Sequence, residues 1–213
     1  MKVEIWSDIM CPFCYMGKRL FEEALEEFAH KDKVMVEWKS FLLSPELKTN
    51  PSISLTDHLS QSKGMSPHDV EHMTGNIVAR AKTIGLDFQF DKVVVANTIK
   101  AHALIKFAQE EGKDNEAYEL IFKGYFCEGK NVDDLETLLD IAKSLDLNIE
   151  KFKEGLENKS YELKVFNDYK EAQGLGIQGV PFFVLDRKLA VSGAQAKETF
   201  LGALNQAFKS DQL

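Results

Sequence analysis

The residues best suited to chemistry in this chain are two cysteines set two positions apart, Cys11-Pro12-Phe13-Cys14. A thiolate is the reactive form of cysteine, and a second thiol so close by can attack a mixed disulfide formed at the first. The pair therefore reads as a dithiol that cycles to a disulfide. A C-x-x-C can equally be half of a zinc site. Against that, Cys127 is the one remaining cysteine, and His30, His58, His68, His72 and His102 stand at no ligand spacing to any of the three. The residues thus predict redox chemistry without a metal or another cofactor.

The elements on either side decide what the pair can do. Val3-Glu4-Ile5-Trp6 alternates like a strand and stops at Ser7-Asp8. After the pair, Leu20, Phe21, Ala24, Leu25 and Phe28 recur at helical spacing among charged residues. The cysteines thus sit where a strand feeds the N-terminus of an amphipathic helix. Free N–H groups and the positive end of the helix dipole favour a thiolate at Cys11. Pro12 suits the first turn, where its missing N–H costs nothing.

A second strand is expected over 33–43, with Val34, Val36 and Trp38 on one face, ended by Ser44-Pro45. Strand, helix, strand in that order implies parallel pairing. From about 55 to 174 the pattern is helical, with no convincing strand. Helices are expected at 54–61, from Pro67 to near Gly85, at 99–111 behind Asn97-Thr98, at 115–126, from 131 through Ile141, at 149–156 and at 160–174. The β pattern returns in Phe182-Phe183-Val184-Leu185 and Leu189-Ala190-Val191, joined by Asp186-Arg187-Lys188, before a last helix at 197–208. The fold class expected is α/β, one mixed sheet carrying a large inserted α-helical domain. Residues 1–48 and 175–213 would form the sheet domain and 49–174 the insertion.

Composition narrows the partners. The 213 residues carry a formal net charge of −8 with no basic tract, which argues against nucleic acid. No apolar run approaches a membrane span. Met1-Lys2-Val3-Glu4 passes straight into the first strand without an apolar leader, so a cytoplasmic chain is expected.

Val180-Pro181, just before a strand, is the second anchor, since proline is tolerated at a strand's first residue. Taken together, the Cys11-Pro12-Phe13-Cys14 motif, the helical insertion and Gly179-Val180-Pro181-Phe182-Phe183 resemble the DsbA-like branch of the thioredoxin superfamily. The closest likeness is to its FrnE-type subgroup, through Ser7-Asp8-x-x-Cys11-Pro12-x-Cys14-Tyr15-x-Gly17, Asn97-Thr98-x-x-Ala101-His102 and Ser192-Gly193-Ala194-Gln195.

The resemblance implies a thioredoxin-like fold and a thiol–disulfide oxidoreductase. Cys11 would attack, Cys14 would resolve, and a cis-proline at Pro181 would lie against the pair. Val180 would offer its backbone to an extended substrate, Pro12 and Phe13 would shape the motif, and Asn97 and His102 would border the cleft. Substrates would be disulfide- or dithiol-containing proteins or a small thiol such as glutathione, handled by a monomer or a homodimer. The position before the second cysteine in the oxidant DsbA is histidine. Phe13 cannot stabilise a thiolate in that way, so a less oxidising couple is expected.

Several residues also have a structural reading. His102 fits a packed, hydrogen-bonded histidine, Asp8 a loop-shaping carboxylate, and Cys127 a buried inert thiol. Phe41, Met16 and Phe182 fit core or cleft lining. The alternatives to the redox reading are a glutathione-dependent isomerase or transferase on the same fold, and a peptide-binding, chaperone-like module.

Overall fold

A computed structural model describes residues 1–210. The chain divides into two compact units, 1–43 with 165–213, and 44–164.

The first unit is built on strand β1 (Lys2–Ser7). It pairs in parallel with β2 (Met35–Ser40) and antiparallel with β3 (Phe182–Leu185). β3 pairs antiparallel with β4 (Leu189–Ser192), giving the order β2-β1-β3-β4. The register sets Ile5 beside Trp38 and Phe183, all three buried. On that face lie helices α1 (Pro12–Glu27) and α9 (Lys197–Ser210), whose Phe21 and Phe200 rings stand 5.4 and 4.6 Å from that of Phe183. Each large apolar side chain buried in this way contributes about 1.5–3 kcal/mol.

The opposite face carries Trp6, Val184 and Phe182, packed with Phe41, Tyr169, Ala172 and Ile177. Tyr169 and Ala172 come from α8 (Ser160–Gly174), which from Val165 onward belongs to this unit. Residues 165–174 read as part of the helical insertion, yet they cover the sheet. Asp168 explains why. Its carbonyl accepts the Trp6 indole N–H at 3.2 Å, and its carboxylate accepts the Ser40 N–H at 2.9 Å with Lys39 Nζ 3.6 Å away.

The β3–β4 turn places two non-glycine residues in left-handed backbone, Asp186 (φ 47°) and Arg187 (φ 55°). Such a conformation costs of order 1–3 kcal/mol per residue. Fixed polar contacts offset it. Asp186 Oδ1 accepts the Lys2 N–H at 2.5 Å, and the Arg187 guanidinium grips the buried Glu4 carboxylate and Glu171.

The second unit is helical: α2 (Leu55–Lys63), α3 (Pro67–Lys82), α4 (Ile99–Glu110), α5 (Asp114–Phe126), α6 (Leu135–Ser144) and α7 (Ile149–Glu157). Ser54, Ser66, Asp134 and Asn148 cap four of them, each side chain accepting a first-turn N–H. The Asn97-Thr98 pair expected to cap α4 does so through its first residue. Thr98 makes no side-chain cap there; Asn97 Oδ1 accepts the Ile99 N–H at 2.8 Å instead. Every residue from Ala101 to Ala108 is buried, so α4 forms the axis of this unit.

Candidate active site

Cys11 stands at the N-cap of α1 in extended backbone (φ −93°, ψ 109°), and Pro12 is the first helical residue. The Cys11 N–H donates to the Asp8 carbonyl at 3.1 Å, and the Cys11 carbonyl accepts the Cys14 N–H at 3.0 Å. One turn of helix therefore fixes both cysteines. Asp8 is fully buried and shapes this corner. Its carboxylate accepts the Leu43 N–H at 2.7 Å, just past the end of β2, and the Met10 N–H at 3.4 Å.

Both cysteines are free thiols and both are buried, Cys11 to 6% exposure and Cys14 to 1%. Burial drives the Cys14 pKa well above the ordinary thiol range, and the hydrogen bond and charge of the neighbouring Cys11 push it further up. The two thiols differ in place: Cys11 stands at the helix N-terminus, and Cys14, more deeply buried, is held behind it as a protonated thiol.

The Val180–Pro181 peptide bond is cis. The Cys11 thiol lies 3.5 Å from the Val180 carbonyl, to which it donates. The Pro181 carbonyl accepts the Gly193 N–H at 2.8 Å, which pins the start of β3 to the end of β4. Phe13 is 37% exposed, and Val180 and Phe182 are half-buried. Phe41 and Met16 are buried in the core.

Asn97 and His102 belong to the second unit. The Asn97 amide is engaged there, its Nδ2 donating to the Pro45 and Leu47 carbonyls at 3.2 and 2.9 Å. His102 is fully buried, its ring 6.3 Å from that of Tyr118. Cys127 corrects one expectation: it is half-buried rather than buried, because it lies beyond the last turn of α5 as its C-cap. Desolvation and the nearby Asp87 nevertheless raise its pKa. Among the described residues no group of three His, Cys, Asp or Glu side chains is arranged to hold a metal, and no helix is long and apolar enough to cross a membrane.

One contact escaped the sequence. Gly17 was legible as part of a motif, but its lack of a side chain signalled nothing about its neighbour. A Cβ placed there would stand 2.9 Å from Pro181 Cγ and 3.4 Å from Phe183 Cζ.

The chain is similar to known proteins along nearly its whole length. A probable DsbA oxidoreductase from Streptomyces coelicolor is 37% identical in sequence and superimposes with a TM-score of 0.91, over 98% of this chain and 90% of its own. The uncharacterized protein YwbO of Bacillus subtilis (strain 168) is 30% identical over 97% of both chains. The cytosolic disulfide reductase DsbM of Pseudomonas aeruginosa shares the fold at 17% identity, with a TM-score of 0.67 over 100% of this chain and 98% of its own. The DSBA-like thioredoxin domain matches residues 2–205, nearly the full length, so this chain belongs to the DsbA-like thioredoxin family.

Proposed function

We propose that this protein is a thiol–disulfide oxidoreductase that works through Cys11 and Cys14. The observation that carries the reading is the asymmetry of the pair: Cys11 caps a helix N-terminus beside the Val180 carbonyl, while Cys14 is sealed behind it with a raised pKa. A relative sharing 37% of the sequence, described as a probable DsbA oxidoreductase, supports the same chemistry.

In the reducing direction the Cys11 thiolate attacks one sulfur of a substrate disulfide. The other substrate sulfur leaves as a thiolate and takes up a proton. Cys14 then gives up its proton and attacks Cys11 Sγ, releasing the second substrate thiol. The substrate has gained two electrons, and the Cys11–Cys14 disulfide that remains is returned to the dithiol by an external thiol reductant such as glutathione. The reverse sequence oxidises a dithiol substrate.

Pro12 and Phe13 shape the motif, and Val180 and Pro181 flank an extended disulfide-bearing peptide or small disulfide as it approaches. Asn97 and His102 lie in the helical unit, where the Asn97 amide holds the segment at Pro45 and Leu47. Phe13, where a thiolate-stabilising histidine would give a strong oxidant, favours the reductase or isomerase direction in a reducing compartment such as the cytoplasm. The Ser7 to Gly17 motif supports a FrnE-type position within the family.

Insulin reduction tests the mechanism. Cys11→Ser is expected to abolish turnover, and Cys14→Ala to accumulate mixed disulfides at Cys11. Undiminished insulin reduction by Cys11→Ser would overturn the assignment. A glutathione-dependent isomerase activity that survives Cys14→Ala would favour that chemistry instead, since it needs no resolving thiol.

A further inference from the structure

We infer that Gly17 is a positioning residue: its missing side chain lets α1 close on the Pro181 ring and so seats the Val180 carbonyl against the Cys11 thiol. The inference rests on the oxidoreductase reading and adds to it a residue one and a half turns into the helix that touches no reacting atom.

The geometry leaves one direction of yield. A methyl group at position 17 would meet Pro181 Cγ at 2.9 Å and Pro181 Cβ at 3.5 Å, with Phe183 Cζ at 3.4 Å. Ordinary carbon–carbon contact begins about 3.5 Å. The Phe183 ring is backed by Phe200 of α9, whose ring stands 4.6 Å away, which opposes its withdrawal from α1. The Pro181 ring is closed onto its own backbone, so beyond a change of pucker at Cγ it withdraws only with the chain that carries it.

Past the ring, the Pro181 carbonyl is fastened to the Gly193 N–H at 2.8 Å. Displacement of the ring is therefore passed back to Val180, whose carbonyl lies 3.5 Å from Cys11 Sγ. That pair forms the wall of the site along which a substrate must lie. Gly17→Ala would push it out of register without altering either cysteine.

A double-mutant cycle in the full-length protein tests this, with insulin reduction and the rate of Cys11 alkylation as readouts. Gly17→Ala is expected to lower turnover by about tenfold to a hundredfold, the scale set by sub-ångström to ångström misplacement of reacting groups. Pro181→Ala removes Cγ, the atom in the clash. In that background, adding Gly17→Ala should change turnover by less than about twofold, a strongly non-additive result. Gly75→Ala in α3 and Gly202→Ala in α9, where an added methyl meets nothing within 4 Å, should leave turnover at the wild-type level.

If Gly17→Ala fails to fold, the double variant must recover a folded, wild-type-like circular dichroism spectrum. Equal turnover of Gly17→Ala and wild type, or the same fold-loss with and without Pro181→Ala, overturns the inference. A double variant that also fails to fold overturns it as well. Wild-type protein lacking disulfide reductase activity would instead overturn the oxidoreductase reading, a separate outcome seen before any variant is made.

Discussion

The Cys11 thiol donates to the Val180 carbonyl across 3.5 Å, and these two residues lie 169 positions apart in the chain. Everything that fixes the one relative to the other belongs to the unit built on the sheet. Asp8 anchors the corner before α1, Gly17 closes the helix on Pro181, and Gly193 holds Pro181 to β4.

The raised Cys14 pKa makes the reduced protein sensitive to alkali. The folded state keeps a proton on this thiol over a range where the unfolded chain, with an ordinary thiol near about 8.5, has lost it. Stability is therefore fully present below that value and falls as pH rises above it. The disulfide form has no such thiol. Thermal melts of the two redox forms from neutral pH to about pH 10 should show the dithiol form losing Tm relative to the disulfide form. Parallel profiles would contradict the burial argument. Cys127, also raised, is present in both forms and cancels.

Gly17→Ala should run against helix propensity. In a helix interior alanine is favoured over glycine by about 1 kcal/mol. Overpacking against the Pro181 ring costs about 1–3 kcal/mol. Chemical denaturation should find Gly17→Ala unchanged or destabilised, and Gly75→Ala stabilised by about 0.5–1 kcal/mol. Stabilisation of both would mean the ring yields freely.

Arg187→Ala should destabilise the protein by about 1–3 kcal/mol, or several degrees in Tm. The buried Glu4 carboxylate would keep Lys2, 3.4 Å away, as its remaining ion-pair partner. The Arg187 side chain is 43% exposed, so the effect falls below that of breaking a fully buried pair. Because residue 187 sits at φ 55°, Arg187→Gly should cost less than Arg187→Ala, although it removes more side chain. Differential scanning calorimetry of the two variants checks the order.

Asp168→Ala should cost about 1–3 kcal/mol by leaving the Ser40 N–H without its acceptor. Asp168→Asn, which keeps an acceptor oxygen, should cost less. Urea titration followed by Trp fluorescence suits the comparison, since the Trp6 indole bonds to the carbonyl of the same residue.

The strand and helix periodicities made the sheet, the helical run and the place of Cys11 and Cys14 at a helix start legible, because burial imposes them locally. What could not be read depends on pairings distant in the chain. Residues 165–174 look like any amphipathic helix; what ties them to the sheet is Asp168 meeting Trp6, Lys39 and Ser40, Glu171 meeting Lys39 and Arg187, and Tyr169 and Ala172 packing beside Trp6 and Val184. Asn97 reads as a cap residue and does bond the Ile99 N–H, but its second use, holding Pro45 and Leu47, reaches 52 and 50 residues upstream. Gly17 is silent for a different reason. A missing side chain carries no pattern, and its meaning exists only once Pro181 stands opposite.

The redox equilibrium of Cys11 and Cys14 in glutathione or dithiothreitol buffers, with thiols counted after alkylation, tests the dithiol mechanism at its root. The two thiols should disappear together as one two-electron couple. Its potential should lie well below the about −120 mV of the oxidant DsbA and toward the about −270 mV of thioredoxin. Two thiols that titrate independently, or that form no disulfide with each other, would contradict the mechanism.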